Sequence, residues 1–236
     1  MGTDAKTVTP EDYIKSICAH SRRSITSCIY PGQCYIDLAA WLQRPQSSSA
    51  YQDGHCLAVL YDLALEGPAR VRHLRSNDLQ ELNAHQRSEQ DAGQVLLLRG
   101  YPSPAWVSLV GGKYQVDPEF FHRHLDFFVT LVPRGVLAHP SLPSTSINIR
   151  KLCITTILYQ ERAKRTGPKV DLQARRIEEF EAMATYRRKY QVAGQCGDSI
   201  VREFESLDEE YSLLEQDISI CIVRNGSGWL GEFDVP

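Results

Sequence analysis

The sequence predicts an α/β or α+β fold, in which helices flank a mixed central sheet and a charged helical hairpin lies in the C-terminal half. Residues 95–98 are four consecutive apolar residues stopped by Gly100, which is typical of a central strand buried on both faces. Helix-like and strand-like segments alternate along the chain, which favours layers of helix and sheet. The chain has 236 residues, 42% of them hydrophobic, and this is enough for a sizeable core.

Helix starts are recognisable where a capping residue comes directly before a proline. Thr9-Pro10, Ser103-Pro104 and Asp117-Pro118 have this pattern. The capping oxygen and the fixed φ of proline both favour the first helical turn. The second of these helices is predicted to stop at Gly111-Gly112, because glycine commonly ends helices. The helices predicted in the first half of the chain span residues 9–20, 34–43, 76–86, 102–110 and 117–128.

Strands are predicted where apolar or β-branched runs lie between turn residues such as Gly67-Pro68. These runs span residues 55–63, 70–74, 95–99, 151–160, 218–223 and 229–233. A turn at residues 225–228 separates the last two, so we expect them to form a β-hairpin. Polar or proline-containing stretches at 45–49 and 133–143 are predicted loops.

Two segments of opposite charge predict the helical hairpin. Residues 161–190 contain nine basic and five acidic residues, whereas residues 198–217 contain one basic and eight acidic residues. Each segment places apolar residues on one helical face; they are Ile177, Phe180 and Ala184 in the first, and Phe204, Leu207 and Tyr211 in the second. We therefore expect an N-terminal helical segment, 1–50, followed by an α/β domain, 51–236, with the hairpin at about 161–217.

Composition argues against several classes of protein. The net charge of −3 is not the basic excess expected of a nucleic-acid-binding chain. The most apolar run, residues 152–159, is too short to span a bilayer, and the N-terminus has no signal-peptide pattern. The seven cysteines are odd in number and form no Cys-x-x-Cys pair, which argues against a disulfide framework or structural zinc. We expect a cytoplasmic protein that neither inserts into a membrane nor binds nucleic acid.

The candidate motifs assign no catalytic or cofactor-binding residue. His122 and His124, with Asp126 nearby, are two positions apart, so on a helix their rings point in different directions and do not easily share a metal. The segment 110–113 lacks the first glycine and the Ser/Thr of a phosphate-binding loop, and Gly226-Ser227-Gly228 is too short for a nucleophile elbow. The acidic residues of 203–210 are interpreted as a solvated face or a partner for the basic helix, in preference to a surface that collects cations. The basic residues of 162–165 are only a weak signal for phosphate or acidic lipid, because neighbouring acids neutralise them and no aromatic residues lie between them. Metal ligands stay unassigned.

Two blocks of sequence resemble a known family. Residues 95–106 (VLLLRGYPSPAW) and 116–127 (VDPEFFHRHLDF) look like the cytosolic domain of CorA-like magnesium transporters in their filamentous-fungal branch. Residues 211–223, with Gly228-Trp229, are similar to a later strand of the same proteins. The resemblance implies a tryptophan helix packed on the sheet, then an Asp-Pro-x-Phe-Phe helix. The residues agree with a structural role for this second helix, because an apolar face of Phe120, Phe121, Leu125 and Phe128 would be buried. His124 would lie beside that face and bond to backbone rather than to metal.

The resemblance also implies a function. In that family, transport belongs to C-terminal membrane helices and a Gly-Met-Asn signature, and neither occurs in these 236 residues. We therefore expect a non-enzymatic domain without transport capacity, which senses ions or binds a protein partner or its own copies. Mg²⁺ is the one cofactor that the resemblance implies. One alternative is an accessory protein of a fungal specialised-metabolite (mycotoxin-type) gene cluster, and another is a small-molecule enzyme with a Cys/His or Asp/His site.

Overall fold

The structure, a computed structural model, describes residues 8–23, 35–44, 56–64, 66–86, 91–125, 148–159, 171–193, 201–208, 210–225 and 228–235. Its helices are α1 (Pro10–Ser21), α2 (Ile36–Leu42), α3 (Leu79–Ala84), α4 (Pro104–Tyr114), α5 (Pro118–His124) and α6 (Leu172–Ala193). Its strands are β1 (Cys56–Ala64), β2 (Arg70–Arg75), β3 (Asp91–Arg99), β4 (Ile149–Tyr159), β5 (Val201–Ser206), β6 (Tyr211–Asn225) and β7 (Gly228–Val235). Within these ranges no helix is both long enough and apolar enough to cross a bilayer.

The strands form one mixed sheet in the order β2-β1-β3-β7-β6-β4, with β5 also paired to β6. The β3–β7 pair is parallel, and the other pairs of described strands are antiparallel. The long β6 pairs with β4 along one edge, while β5 and β7 share its other edge. The predicted fold class, a mixed central sheet with flanking helices, is confirmed.

The core lies between one face of the sheet and the helices α1 to α5. On α4, Trp106, Val107 and Val110 are fully buried, and Leu60 and Leu96 are fully buried on the neighbouring strands β1 and β3. The indole N–H of Trp106 donates to the backbone oxygen of Ser76 over 3.0 Å, which fixes α4 to the end of β2. Residues of α1 and α2 belong to the same core as those of the sheet.

The capping signals act as the sequence predicts. Thr9, Ser103 and Asp117 each precede the first residue of a helix and accept a hydrogen bond from a backbone N–H of its first turn. These local bonds satisfy N–H groups that the helix itself leaves without a partner. The helices α1, α4 and α5 therefore begin where the sequence predicts.

The prediction that Gly111-Gly112 ends a helix is wrong. The last residue of α4 is Tyr114. The capping residue after it, Gln115, takes a left-handed conformation with φ of 55°. A Cβ atom on Gly111 would overlap the ring of Tyr13, and one on Gly112 would lie 2.9 Å from the backbone oxygen of Val8. The two glycines therefore serve the close packing of α1 against α4 rather than helix termination.

The prediction that the second arm of the hairpin is a helix is also wrong. The first arm contains α6, but residues 201–206 and 211–225 are the strands β5 and β6. The N-terminal part of β6 lies between two strands, since β4 pairs with it over 11 residues and β5 pairs with its other edge. Sheet pairing on both edges outweighs local helical preference.

Several predictions fall outside the described residues. They concern the loops at 45–49 and 133–143, Asp126 and the rest of the helix predicted to reach 128, the basic residues 162–165, and Ser227. The predicted hairpin of the last two strands is confirmed, because β6 and β7 pair antiparallel from Asn225 and Gly228.

Candidate functional site

His124 is a buried structural residue. It is 1% exposed, and its Nδ1 lies 3.1 Å from the Ser219 hydroxyl while its Nε2 lies 3.2 Å from the backbone oxygen of Gly100. Its ring stacks on that of Phe120. His124 therefore links α5 to β6 and to the turn after β3, and the predicted bond to backbone is confirmed.

His122 lies in different surroundings. Its ring meets the edge of the Tyr35 ring at a centroid distance of 5.5 Å, and Tyr35 in turn packs on His20 at 5.7 Å. A cavity of about 380 Å³ opens beside Tyr35 and is lined also by Arg23 and Asp117. The described residues contain no group of three or more His, Cys, Asp or Glu placed to hold a metal ion.

Lys113 binds the C-terminal end of α3, whereas a phosphate-binding loop would direct its lysine at a phosphate. Its Nζ donates hydrogen bonds to the backbone oxygens of Leu82, Asn83 and His85 at 2.7, 2.8 and 2.6 Å. These carbonyl groups belong to the last turn of α3, where a cation is favourable. Burial lowers the pKa of Lys113 below its usual value of 10.5.

A buried polar cluster, which the sequence reasoning missed, joins Asp62, His85 and Gln94. Asp62 on β1 lies directly opposite Gln94 on β3. The Gln94 side chain donates to Asp62 Oδ1 over 2.6 Å, and His85 Nε2 lies 3.1 Å from the same oxygen. Asp62 Oδ2 has no hydrogen-bond partner among the described residues.

This cluster contains an Asp/His pair, the arrangement that acid–base catalysis uses. The side chains of Asp62 and His85 are only 1% and 7% exposed, however. A substrate could reach the shared oxygen only by displacing Gln94, which already occupies it. The cluster therefore fixes β1 to β3 and to the end of α3. Its signal in the sequence was one polar residue within the apolar run 55–63 and another directly before the apolar run 95–98.

The described cysteines form no reactive group with these histidines. Cys18 and Cys221 are buried free thiols, and Cys18 Sγ lies 2.7 Å from Gln43 Nε2, which donates to it. Buried free cysteines of this kind behave as small apolar residues. His122, His124 and His85 each have different neighbours, as given above, so the described residues do not bring the candidate catalytic types into one accessible site.

Among the described residues, a group of exposed apolar side chains lies along β4. Leu152, Ile154, Ile157, Leu158 and Tyr159 are between 41% and 64% exposed, and we call these five residues the β4 edge surface. They lie on both faces of the strand, because successive residues of a strand alternate in direction. Among the described strands, β6 is the one neighbour of β4.

The helix α6 is attached to β5. The Ser206 hydroxyl donates to Glu179 Oε1 over 2.6 Å, and the Ser206 N–H donates to Glu179 Oε2 over 2.9 Å. Arg176 donates to the backbone oxygens of Ser206 and Leu207. These bonds leave Ile177 and Phe180 of α6 at 61% and 66% exposed.

The attachment of α6 is expected to weaken in acid. Burial by itself raises the pKa of Glu179, but hydrogen bonds from Ser206 and the charge of Arg175 outweigh it, so this pKa lies below its usual 4.5. A carboxyl with a depressed pKa stabilises the folded state above its unfolded pKa, and this contribution is lost as the pH falls through the folded pKa. Glu179→Gln should cost about 1–2 kcal/mol at pH 7 and reduce the acid dependence, measured by urea unfolding from pH 7 to pH 3.

Glu178→Gln is the matched control, because Glu178 is the exposed neighbour on the same helix. We expect it to change the unfolding free energy by less than about 0.5 kcal/mol. Equal acid profiles for the two variants would contradict the role given to Glu179.

Two of the edge strands described here, β2 and β4, differ in charge. β2, at the opposite edge, carries Arg70, Arg72 and Arg75 within six residues, and charged residues of this kind keep an edge strand from pairing with other chains. Residues 152–159 of β4 contain no charged residue. The β4 edge surface is therefore the candidate functional site of the described residues.

Comparison of the chain with protein-family models, with curated proteins and with solved structures finds no match.

Proposed function

We propose that this chain is a non-enzymatic domain that acts by protein contact through the β4 edge surface. Such a role is similar to that of a cytosolic module of the CorA-like transporters, without transport capacity of its own. The observation that carries the proposal is the run of exposed apolar residues on an edge strand without charges from 152 to 159. Exposed apolar patches on this scale mark interaction sites.

The use of the polar side chains in the core supports a binding role over a catalytic one. His124 connects three elements, Lys113 closes α3, and Asp62 and Gln94 join two strands. Each of these groups has a structural task, and His124, Asp62 and Gln94 are buried. The exposed surface, by contrast, offers main-chain groups at a sheet edge and apolar side chains, which are the two parts of recognition by strand addition.

A photo-crosslinking experiment tests the proposal. A benzophenone amino acid placed at Ile157 should yield a covalent adduct with a protein when the full chain is expressed in its native cell. The same amino acid at Val71, which is 45% exposed on β2, serves as the matched control and should yield several-fold less adduct. Equal yields at both positions, or no protein adduct at Ile157, would remove the β4 edge surface as a contact site.

A further inference from the structure

Three polar atoms of the buried cluster lie close enough together to share one metal ion. Asp62 Oδ1 is 2.6 Å from Gln94 Nε2 and 3.1 Å from His85 Nε2, and the two nitrogen atoms are 3.2 Å apart. Donor atoms bound to one ion at about 2.1 Å are separated by roughly 3.0–3.4 Å. The three atoms therefore form a triangle of nearly the size that the ligands of a single ion occupy.

The amide of Gln94 can present either of its two end atoms to this triangle. In this structure its nitrogen faces Asp62 and donates to the carboxylate. A half-turn about the last side-chain bond exchanges the amide nitrogen and oxygen. Two oxygen atoms and an imidazole nitrogen would then face one another, and a cation between them is what makes that arrangement favourable. We therefore expect the direction of the amide to follow the binding of a cation.

The charge of Asp62 favours a cation at this place. The residue is fully buried, and its Oδ2 has no hydrogen-bond partner among the described residues. Arg70 lies opposite it on β2 but is exposed. The described ion-pair partner of Asp62 is His85, whose ring is charged only when it is protonated. Since a buried charge needs a partner ion or a metal, a metal ion bound by neutral His85 would compensate the carboxylate without that protonation.

The surroundings of His85 hold the cluster in position. The backbone oxygen of His85 accepts a hydrogen bond of 2.6 Å from Lys113 Nζ, and Asp62 lies opposite Gln94 in the β1–β3 pair. Contacts of this kind, one step away from the ion, orient metal ligands. The side chain of His85 is 7% exposed and that of Asp62 is 1% exposed, so an ion would enter past His85.

We propose that Asp62, His85 and Gln94 bind one divalent cation of the transition-metal class, with Gln94 Oε1 turned toward it. An imidazole nitrogen combined with oxygen ligands is typical of zinc sites. The third ligand is an amide, so the cluster is not a group of three His, Cys, Asp or Glu. The ion joins β1, β3 and the end of α3, and its site shares no residue with the β4 edge surface.

Calorimetric titration of the metal-free full chain with Zn²⁺ tests the site. We expect one ion to bind at this site and the melting temperature to rise with zinc. His85→Ala should weaken this binding by at least about tenfold, whereas His73→Ala, which removes an exposed histidine of β2, should leave it unchanged. A wild type that gives neither heat nor a melting shift, or the same zinc affinity in both variants, overturns the proposal.

Gln94→Glu distinguishes a metal site from a purely structural cluster. Without zinc it places a second carboxylate beside Asp62, so we expect a lower melting temperature than that of the wild type. With zinc the added charge makes a stronger ligand, so zinc should raise the melting temperature of this variant by more than that of the wild type. A variant that is unfolded without zinc should refold when zinc is added, as followed by circular dichroism. A variant that zinc stabilises no more than it stabilises the wild type overturns the proposal.

Discussion

Gly111→Ala is expected to lower the free energy of unfolding by about 2 kcal/mol. In an open helix the same change would raise stability by roughly 0.8–1 kcal/mol, because alanine favours helix more than glycine does. Here the new Cβ would overlap the ring of Tyr13. The ring cannot easily move aside, since it is buried and its hydroxyl donates to the backbone oxygen of Val116 over 2.9 Å.

A double-mutant cycle with Tyr13→Leu separates this clash from other effects. Leucine keeps an apolar side chain at position 13 but lacks the ring atoms that the new Cβ would meet. We expect Gly111→Ala to be neutral or stabilising in the Tyr13→Leu background, measured by urea unfolding of the four proteins. Gly112→Ala should stay destabilising in both backgrounds, because its Cβ would meet the backbone of Val8 and Thr9. A Gly111→Ala protein that is more stable than wild type would contradict the packing.

The start of a helix was predictable, and the end of α4 was not, for a physical reason. Caps at Thr9, Ser103 and Asp117 act on N–H groups within three residues, so their effect is visible in the sequence. Glycine has two uses, helix termination and close approach of a neighbouring element. Only the position of α1 shows that Gly111 and Gly112 serve the second use.

The acidic segment 198–217 shows that the spacing of apolar residues has a similar limit as a predictor of structure. Phe204, Leu207 and Tyr211 fit one face of a helix, but Phe204 and Ser206 also fit alternate positions of a strand, with Glu205 exposed between them. Short patterns fit both periods. The pairing of β6 with β4, β5 and β7 decides between them, and long-range pairing is not visible in a local pattern.

The sequence shows that the residues of the candidate site are apolar, but it does not show that they lie at the edge of the sheet. Residues 152–159 already stood out as the most apolar run, and a buried strand would have explained it equally well. The sheet order places β4 at the edge beyond β6, which turns the same residues into a surface. Edge position depends on topology, so this step required the structure.

Gln94→Leu is expected to cost about 3 kcal/mol of unfolding free energy, because it leaves a buried carboxyl group without its shortest hydrogen bond. Asp62 is fully buried, and Gln94 is its partner directly across the β1–β3 pair. Asp62 Oδ2 already has no hydrogen-bond partner among the described residues. After the substitution, the His85 ring at 3.1 Å would be the remaining neighbour of Oδ1 described here.

The double variant Asp62→Leu with Gln94→Leu should be more stable than Gln94→Leu alone, although it carries one more substitution. Removing both partners removes the desolvation cost of the carboxyl group and leaves an apolar cross-strand pair, which the neighbouring fully buried Leu60 and Leu96 can accept. Gln80→Leu, on the exposed side of α3, controls for the loss of a glutamine and should change stability by less than about 0.5 kcal/mol. Urea unfolding of the wild type, Asp62→Leu, Gln94→Leu and the double variant measures the coupling. Strictly additive losses at positions 62 and 94 would mean that the two side chains do not act as a pair, and β1 and β3 would then owe their attachment to backbone pairing and apolar packing alone.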